Sequence, residues 1–282
     1  MGALDGKVFV VTGANTGMGR IAAQAFAAEG AHVLLACRSE AKTAPVVQAI
    51  RETTGNHGVE FVPLDLGDLD SVHACADALL ARGLPIHCLV NNAGVAGIRG
   101  MTKSGFEMHF GINHIGHFVL TLRLLDRIKQ SAPARIVTVS SRSHYEVLSR
   151  PNWDRYRSTS RSPTGLREYA ASKLANVLFT HELAKRLQGS GVTTYAVDPG
   201  TVATDIWQRG LWKPVAAFLT QFMTSAEDGA RTTIHCAMSD AVAHETGLYY
   251  KDCAPRRVNK WAQDDELAAE LWRKSAEWTG VG

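Results

Sequence analysis

Short runs of consecutive apolar residues, rich in Val, Ile and Leu, alternate along this chain with longer stretches in which apolar positions recur every three or four residues. The runs at 7–12, 32–37, 59–63, 86–91, 135–140, 193–197 and 248–250 predict strands. Most are apolar at successive positions, as parallel strands covered on both faces require. The stretches at 17–29, 41–53, 69–82, 106–129, 168–188, 226–238 and 264–277 predict helices, the first opening at glycines and the fifth ending near Gly189 and Gly191. Alternation of this kind predicts a doubly wound α/β fold that binds ligands at the carboxyl ends of its strands. No repeat or linker composition divides the chain, so residues 1–282 are expected to form one domain. Two stretches break the rhythm. Residues 142–167 are polar and arginine-rich, and 201–225 carry Trp207, Leu211, Trp212, Val215, Phe218, Leu219 and Phe222.

Composition narrows the classes of function. With 45% hydrophobic residues in 282, the chain can bury a sizeable core, and a net charge of +3 gives little electrostatic ground for binding nucleic acid. Cys37, Cys75, Cys88, Cys236 and Cys253 contain no C-x-x-C pair and read as thiols of a reducing compartment. The segment MGALDGKVFVVTG runs into a predicted strand without a signal-like apolar region, and no apolar run reaches the length of a membrane span. A cytoplasmic protein acting on a small molecule is the expectation.

Gly13, Gly17 and Gly19, with Asn15, Thr16 and Met18 between them, lie after the first predicted strand and at the opening of the first predicted helix. A helix N-terminus presents unpaired N–H groups and partial positive charge, and residues without a Cβ let a pyrophosphate approach the backbone. A tight structural turn is the alternative for the glycines alone. Where an NAD-selective site commonly has an acid after the second strand, this chain has Cys37, Arg38 and Ser39. Arg38 can pair with a 2′-phosphate, helped by Arg20, Asn15 and Ser39, which predicts NADP (NADPH). Asp65 can accept from an adenine amino group, with Leu66 beside the ring. After the fourth strand come Asn92, Ala93 and Gly94, small enough to admit a ribose, with Asn92 able to brace neighbouring strands.

Tyr169 and Lys173 are four residues apart on a predicted helix and so share a face. A tyrosine whose pKa is lowered by an adjacent ammonium can exchange a proton with a substrate oxygen. Ser140 and Ser141 end the fifth predicted strand, where either hydroxyl can hold that oxygen. Asn113, inside GINHIGHF, is a polar helix residue that needs partners, and a water linking it to Lys173 is expected.

Taken together, TGANTGMG, NNAG, YAASK and the DPG at 198–200 resemble, in order, the motifs of the short-chain dehydrogenase/reductase family. The resemblance implies a doubly wound Rossmann fold with a seven-stranded parallel sheet between two layers of helices. It implies Asn113, Ser141, Tyr169 and Lys173 as catalytic residues. Tyr169, Lys173, Pro199, Gly200, Val202 and Thr204 would join the cofactor site, with 201–225 as a substrate lid. NHIGHF, SKLANVLFTHELAKRL and GVTTYAVDPGTV are similar to the retinol dehydrogenase branch, which typically uses NADP(H). Met18 departs from that branch's isoleucine and Asp198 from its histidine. The implied activity is hydride exchange between NADP(H) and a small apolar carbonyl or alcohol, with self-association through exposed helix faces. A non-catalytic NADP(H)-binding sensor or scaffold, or a reductase of a carbon–carbon double bond, are the alternatives.

Overall fold

The structure, a computed structural model, describes residues 2–159, 162–200 and 225–282. Seven parallel strands form its sheet: β1 (Val8–Thr12), β2 (His32–Cys37), β3 (Val59–Pro63), β4 (Cys88–Asn91), β5 (Ala134–Val139), β6 (Val192–Asp198) and β7 (Leu248–Lys251). Their order is β3-β2-β1-β4-β5-β6-β7, and a two-residue strand, β8 (Ala254–Pro255), adds antiparallel to β7. Two residues are too few for β8 to show in the apolar pattern. Its turn uses Asp252 and Cys253 at positive φ (53° and 57°), a backbone sign usually announced by glycine or asparagine.

Alternate residues of the strands feed two cores. Phe9, Val11, Val33, Leu35, Val137 and Val197 face one way, against α1 (Gly17–Ala28), α2 (Glu40–Thr54) and α7 (Ala226–Met238). Val8, Val10, Leu34, Leu89 and Ile136 face the other, against α3 (Leu69–Ala81), α5 (Gly116–Gln130) and α6 (Leu166–Arg186). Outside α6 lies α8 (Asp265–Thr279), whose Leu267, Ala268 and Leu271 pack on Leu174, Ala175 and Leu178. Because the chain leaves β1 for β2 on one side and returns to β4 on the other, the loops after β1 and β4 diverge. A crevice therefore opens at that switch point.

The helix expected over 106–129 is three pieces instead: α4 (Met108–Phe110), a π-helical turn (Gly111–Ile115) and α5. Residue 106 is held outside the helix because Phe106 N–H donates to the Thr102 hydroxyl and its carbonyl accepts from Thr102 N–H. Glu107 then caps α4 by accepting from Phe110 N–H at 3.0 Å. Apolar periodicity runs through a single wide turn without a visible break, so the π turn left no mark in the pattern.

His114 and His117 lie on this turn and at the start of α5, both buried. Burial pushes their pKa values down to about 3 and about 4 respectively. Below about pH 6.5 the unfolded chain binds these protons and the folded chain does not. Folding stability should therefore hold above pH 6.5 and fall by a few kcal/mol, at about 1.4 per pKa unit, as pH drops toward 4. Urea unfolding at pH 7, 6 and 5 checks this; His114→Asn/His117→Asn should flatten the decline, and an equal decline in that variant would contradict it.

Candidate active site

A cleft of about 560 Å³ occupies the switch-point crevice. Its wall includes Gly13, Asn15, Thr16, Gly17, Met18 and Gly19 from the first loop, Arg38 and Ser39 after β2, Asp65 and Leu66 after β3, and Asn92, Ala93 and Gly94 after β4. Of the expected cofactor residues, Arg20, exposed on α1, is not part of the wall, and neither are Tyr169, Lys173, Pro199 and Gly200. A second cavity, of about 670 Å³, lies between residues 146–159 and the start of α6, and none of the expected site residues lines it.

The glycine loop is shaped by close approach. Gly13 has φ +64°, and a Cβ there would stand 2.8 Å from that of Ala93. A Cβ on Gly19 would stand 2.4 Å from Asn92 Nδ2 and 2.6 Å from the Gly13 carbonyl oxygen. Asn92 Nδ2 donates to the carbonyls of Thr12 (2.8 Å) and Gly13 (3.3 Å), so it braces β1 against the loop after β4 as expected. Sequence reasoning missed the hub of this junction. Thr12 Oγ1 accepts from the amides of Asn92 and Ala93, both at 2.9 Å, and bonds His117 Nε2 at 2.9 Å. His117 Nδ1 reaches the Asn113 carbonyl at 3.1 Å, tying the glycine loop to the π turn.

At the end of β2, Ser39 is the N-cap of α2 without using its side chain as a cap. Lys42, in the first turn of α2, joins Arg38 on the cleft wall and was not anticipated. Its position three residues beyond Ser39 was the available signal, since an N-terminal turn faces what its cap faces. Glu40 is exposed and does not line the cleft. The local donor set is thus a guanidinium, an ammonium, a hydroxyl and a helix N-terminus, which matches a phosphate. On the opposite shoulder Asp65 Oδ1 accepts from Gly67 N–H at 2.9 Å, and the capping of α3 is left to Asp68. This donor set, on a cleft walled by the glycine loop, fits a nicotinamide dinucleotide.

The reacting end gathers at α6. The Ser141 side chain stands beside the Tyr169 hydroxyl, and Lys173 Nζ lies 5.7 Å from the centre of the Tyr169 ring. Ser140 Oγ donates to the Lys173 carbonyl at 2.8 Å, so Ser141 is the serine turned toward Tyr169. Lys173 is buried; its Nζ donates to the Val139 carbonyl at 3.0 Å and lies 3.6 Å from the point where Gly94 would carry a Cβ. Asn113 Oδ1 flanks the same point at 3.3 Å and accepts from Val95 N–H, while its Nδ2 donates to Val95 O and Ser172 Oγ. Burial pushes the Tyr169 phenol up to about 12, Ser141 opposing, which reverses the lowered value expected from the sequence. Burial likewise pulls the Lys173 ammonium down to about 8, with Asp198 opposing. Gly200 (φ +78°) donates its N–H to Asp198 Oδ1, forming the turn at Pro199. Val202, Thr204 and the lid segment up to residue 224 lie outside the described residues.

The family model described as short chain dehydrogenase matches residues 7–210. The chain belongs to the short-chain dehydrogenase/reductase family. Retinol dehydrogenase 12 of Homo sapiens is 43% identical over 284 residues, covering 99% of this chain and 88% of its own. Among solved structures, an uncharacterized protein from Mycobacterium paratuberculosis superposes with a TM-score of 0.78 at 32% identity, covering 98% of this chain and 94% of its own. A protein from Beutenbergia cavernae, solved with bound NADP, gives a TM-score of 0.71 at 26% identity, covering 93% and 98%. This dehydrogenase is therefore an oxidoreductase working on CH–OH groups with an NAD(P) cofactor and a small-molecule substrate. Among its described residues no helix is long and apolar enough to cross a membrane.

Proposed function

We propose that this dehydrogenase uses NADP(H) to interconvert an apolar aldehyde or ketone and its alcohol, with Tyr169 exchanging the proton. The observation that carries the reading is the contact of the Tyr169 hydroxyl with Ser141, with Lys173 beside the ring and its ammonium turned toward Gly94. When bound, the dinucleotide supplies or takes the hydride. Ser141 holds the substrate oxygen, and Tyr169 gives its proton to that oxygen as the carbonyl becomes an alcohol. A phenol raised to about 12 is protonated at neutral pH and so has a proton to give in the reductive half of the reaction. The buried Lys173 ammonium holds the ribose side of the cofactor and stabilises the phenolate left after transfer. Asn113, fixed by three bonds to Val95 and Ser172, keeps the π turn against this pair and supports the proton path.

Arg38, Ser39 and Lys42 support NADPH over NADH. Arg38→Asp should lower the NADPH-over-NADH preference in kcat/KM by about a hundredfold, since charge-assisted bonds are lost and a repulsive carboxylate is gained. An unchanged preference would remove Arg38 from cofactor choice. The apolar substrate class is supported by the likeness to retinol dehydrogenase 12 and by the Trp- and Phe-rich stretch at 201–225. Measuring oxidation of NADPH and NADH side by side, with retinal, steroid ketones and aliphatic and aromatic aldehydes, tests the whole reading. Turnover of apolar carbonyls with NADPH is expected; tight NADPH binding without turnover across the panel would favour a sensor or scaffold. The free thiols, four buried among those described, support a cytoplasmic setting.

A further inference from the structure

Asp198, the last residue of β6, is a buried carboxylate beside the reacting groups. Its neighbour Val197 pairs with Val139, whose carbonyl holds the Lys173 ammonium. Ser140 N–H donates to the Val197 carbonyl at 2.7 Å, so the serine turn runs alongside Asp198. Two neutral donors fix the carboxylate: the Tyr249 hydroxyl on Oδ2 at 2.8 Å and Gly200 N–H on Oδ1 at 2.9 Å. We propose that Asp198 is a positioning residue for proton transfer, its fixed charge keeping Tyr169 a phenol and Lys173 an ammonium so that carbonyl reduction persists to higher pH. This rests on the reductase reading above.

Burial and then Ser141 act most strongly on Tyr169, and the Asp198 charge adds to the upward shift; at Lys173 the same charge opposes the downward pull of burial. The other ionisable groups around the pair are Glu146 and the His109 ring beside Tyr169, His117 near Lys173, and His144, Tyr145 and Arg142 around Asp198 and Tyr249. Glu146 and Arg142 are exposed and screened, and burial holds His117 and His144 toward the neutral form. Glu107, as buried as Asp198, is bonded to the His109 imidazole, whereas Asp198 has only neutral donors and sits one residue beyond the strand pair that holds Lys173.

Asp198→Asn is nearly isosteric, with Oδ1 able to accept from Gly200 and Nδ2 able to donate to the Tyr249 oxygen. Without the negative charge Tyr169 and Lys173 each lose their protons more readily, so the alkaline limb of NADPH-dependent reduction should move down by about one pH unit. Tyr249→Phe removes the hydrogen bond but keeps the charge, and should not lower that limb. Thermal unfolding and NADPH fluorescence identify folded, cofactor-competent variants, and Asp198→Ser substitutes if the asparagine variant does not fold. An unmoved limb in a folded neutral variant, or an equal drop in Tyr249→Phe, overturns the role of Asp198 alone. A wild type that reduces no carbonyl of the panel overturns the reductase reading and this one with it.

Discussion

Tyr169→Phe is expected to reduce kcat by about a thousandfold while leaving NADPH affinity within about twofold of the wild type. The substitution removes one oxygen, the one beside Ser141, and leaves the ring that packs edge-on against His109 at 6.1 Å between centroids. Ser141 keeps its contact with Ser143 N–H, so the serine turn should stand. The glycine loop, Arg38 and Lys42 are untouched, which is why binding and turnover should separate. Steady-state kinetics together with NADPH fluorescence titration check the separation. Turnover near the wild-type rate would take Tyr169 out of the proton transfer, whereas loss of binding in parallel would make the residue a part of the cofactor cleft.

Lys173→Met should behave differently. Methionine fills most of the space of the lysine stem but carries no charge to face Gly94 or to stabilise a phenolate. A fall in kcat of about a hundredfold and a loss of NADPH affinity of about tenfold are expected, from one lost charge-assisted contact on each. The melting temperature should not fall, because a buried ammonium held by one carbonyl bond is replaced by an apolar group that has no desolvation cost. Differential scanning fluorimetry and kinetics on the same preparation check both halves. A large drop in melting temperature would mean that Lys173 is chiefly a structural tie between α6 and β5.

The strand pattern was legible wherever burial on both faces left uninterrupted apolar runs: β2 and β3 have the expected bounds, His32–Cys37 and Val59–Pro63. Glycines marked the cleft because close approach of backbones leaves no alternative residue, as the 2.6 Å clash of a Gly19 Cβ with the Gly13 carbonyl oxygen demonstrates. Features set by tertiary hydrogen bonding were not legible. The π turn depends on Thr102 and Glu107 ending the preceding loop, and the Thr12 and His117 link joins residues 105 positions apart. The choice between Ser140 and Ser141 turned on a bond from Ser140 to the Lys173 backbone, which no local pattern encodes. Arg20 stands exposed on α1 and does not line the cleft, a matter of helix phase rather than of residue type. The expected acidity of Tyr169 rested on the neighbouring ammonium and the nicotinamide charge and left out desolvation, the largest influence on the phenol in this structure.

The central claim, that the Ser141, Tyr169 and Lys173 group serves hydride transfer between NADPH and a carbonyl carbon, is tested most directly by isotope transfer. The protein is incubated with NADPH deuterated on the transferable side of C4 and with the apolar aldehydes and ketones of the panel, and the products are analysed by mass spectrometry and NMR. The expected product is an alcohol carrying deuterium on its carbinol carbon, from the wild type and not from Tyr169→Phe. Deuterium on a former double-bond carbon, or turnover of NADPH with no label in any alcohol, would contradict it.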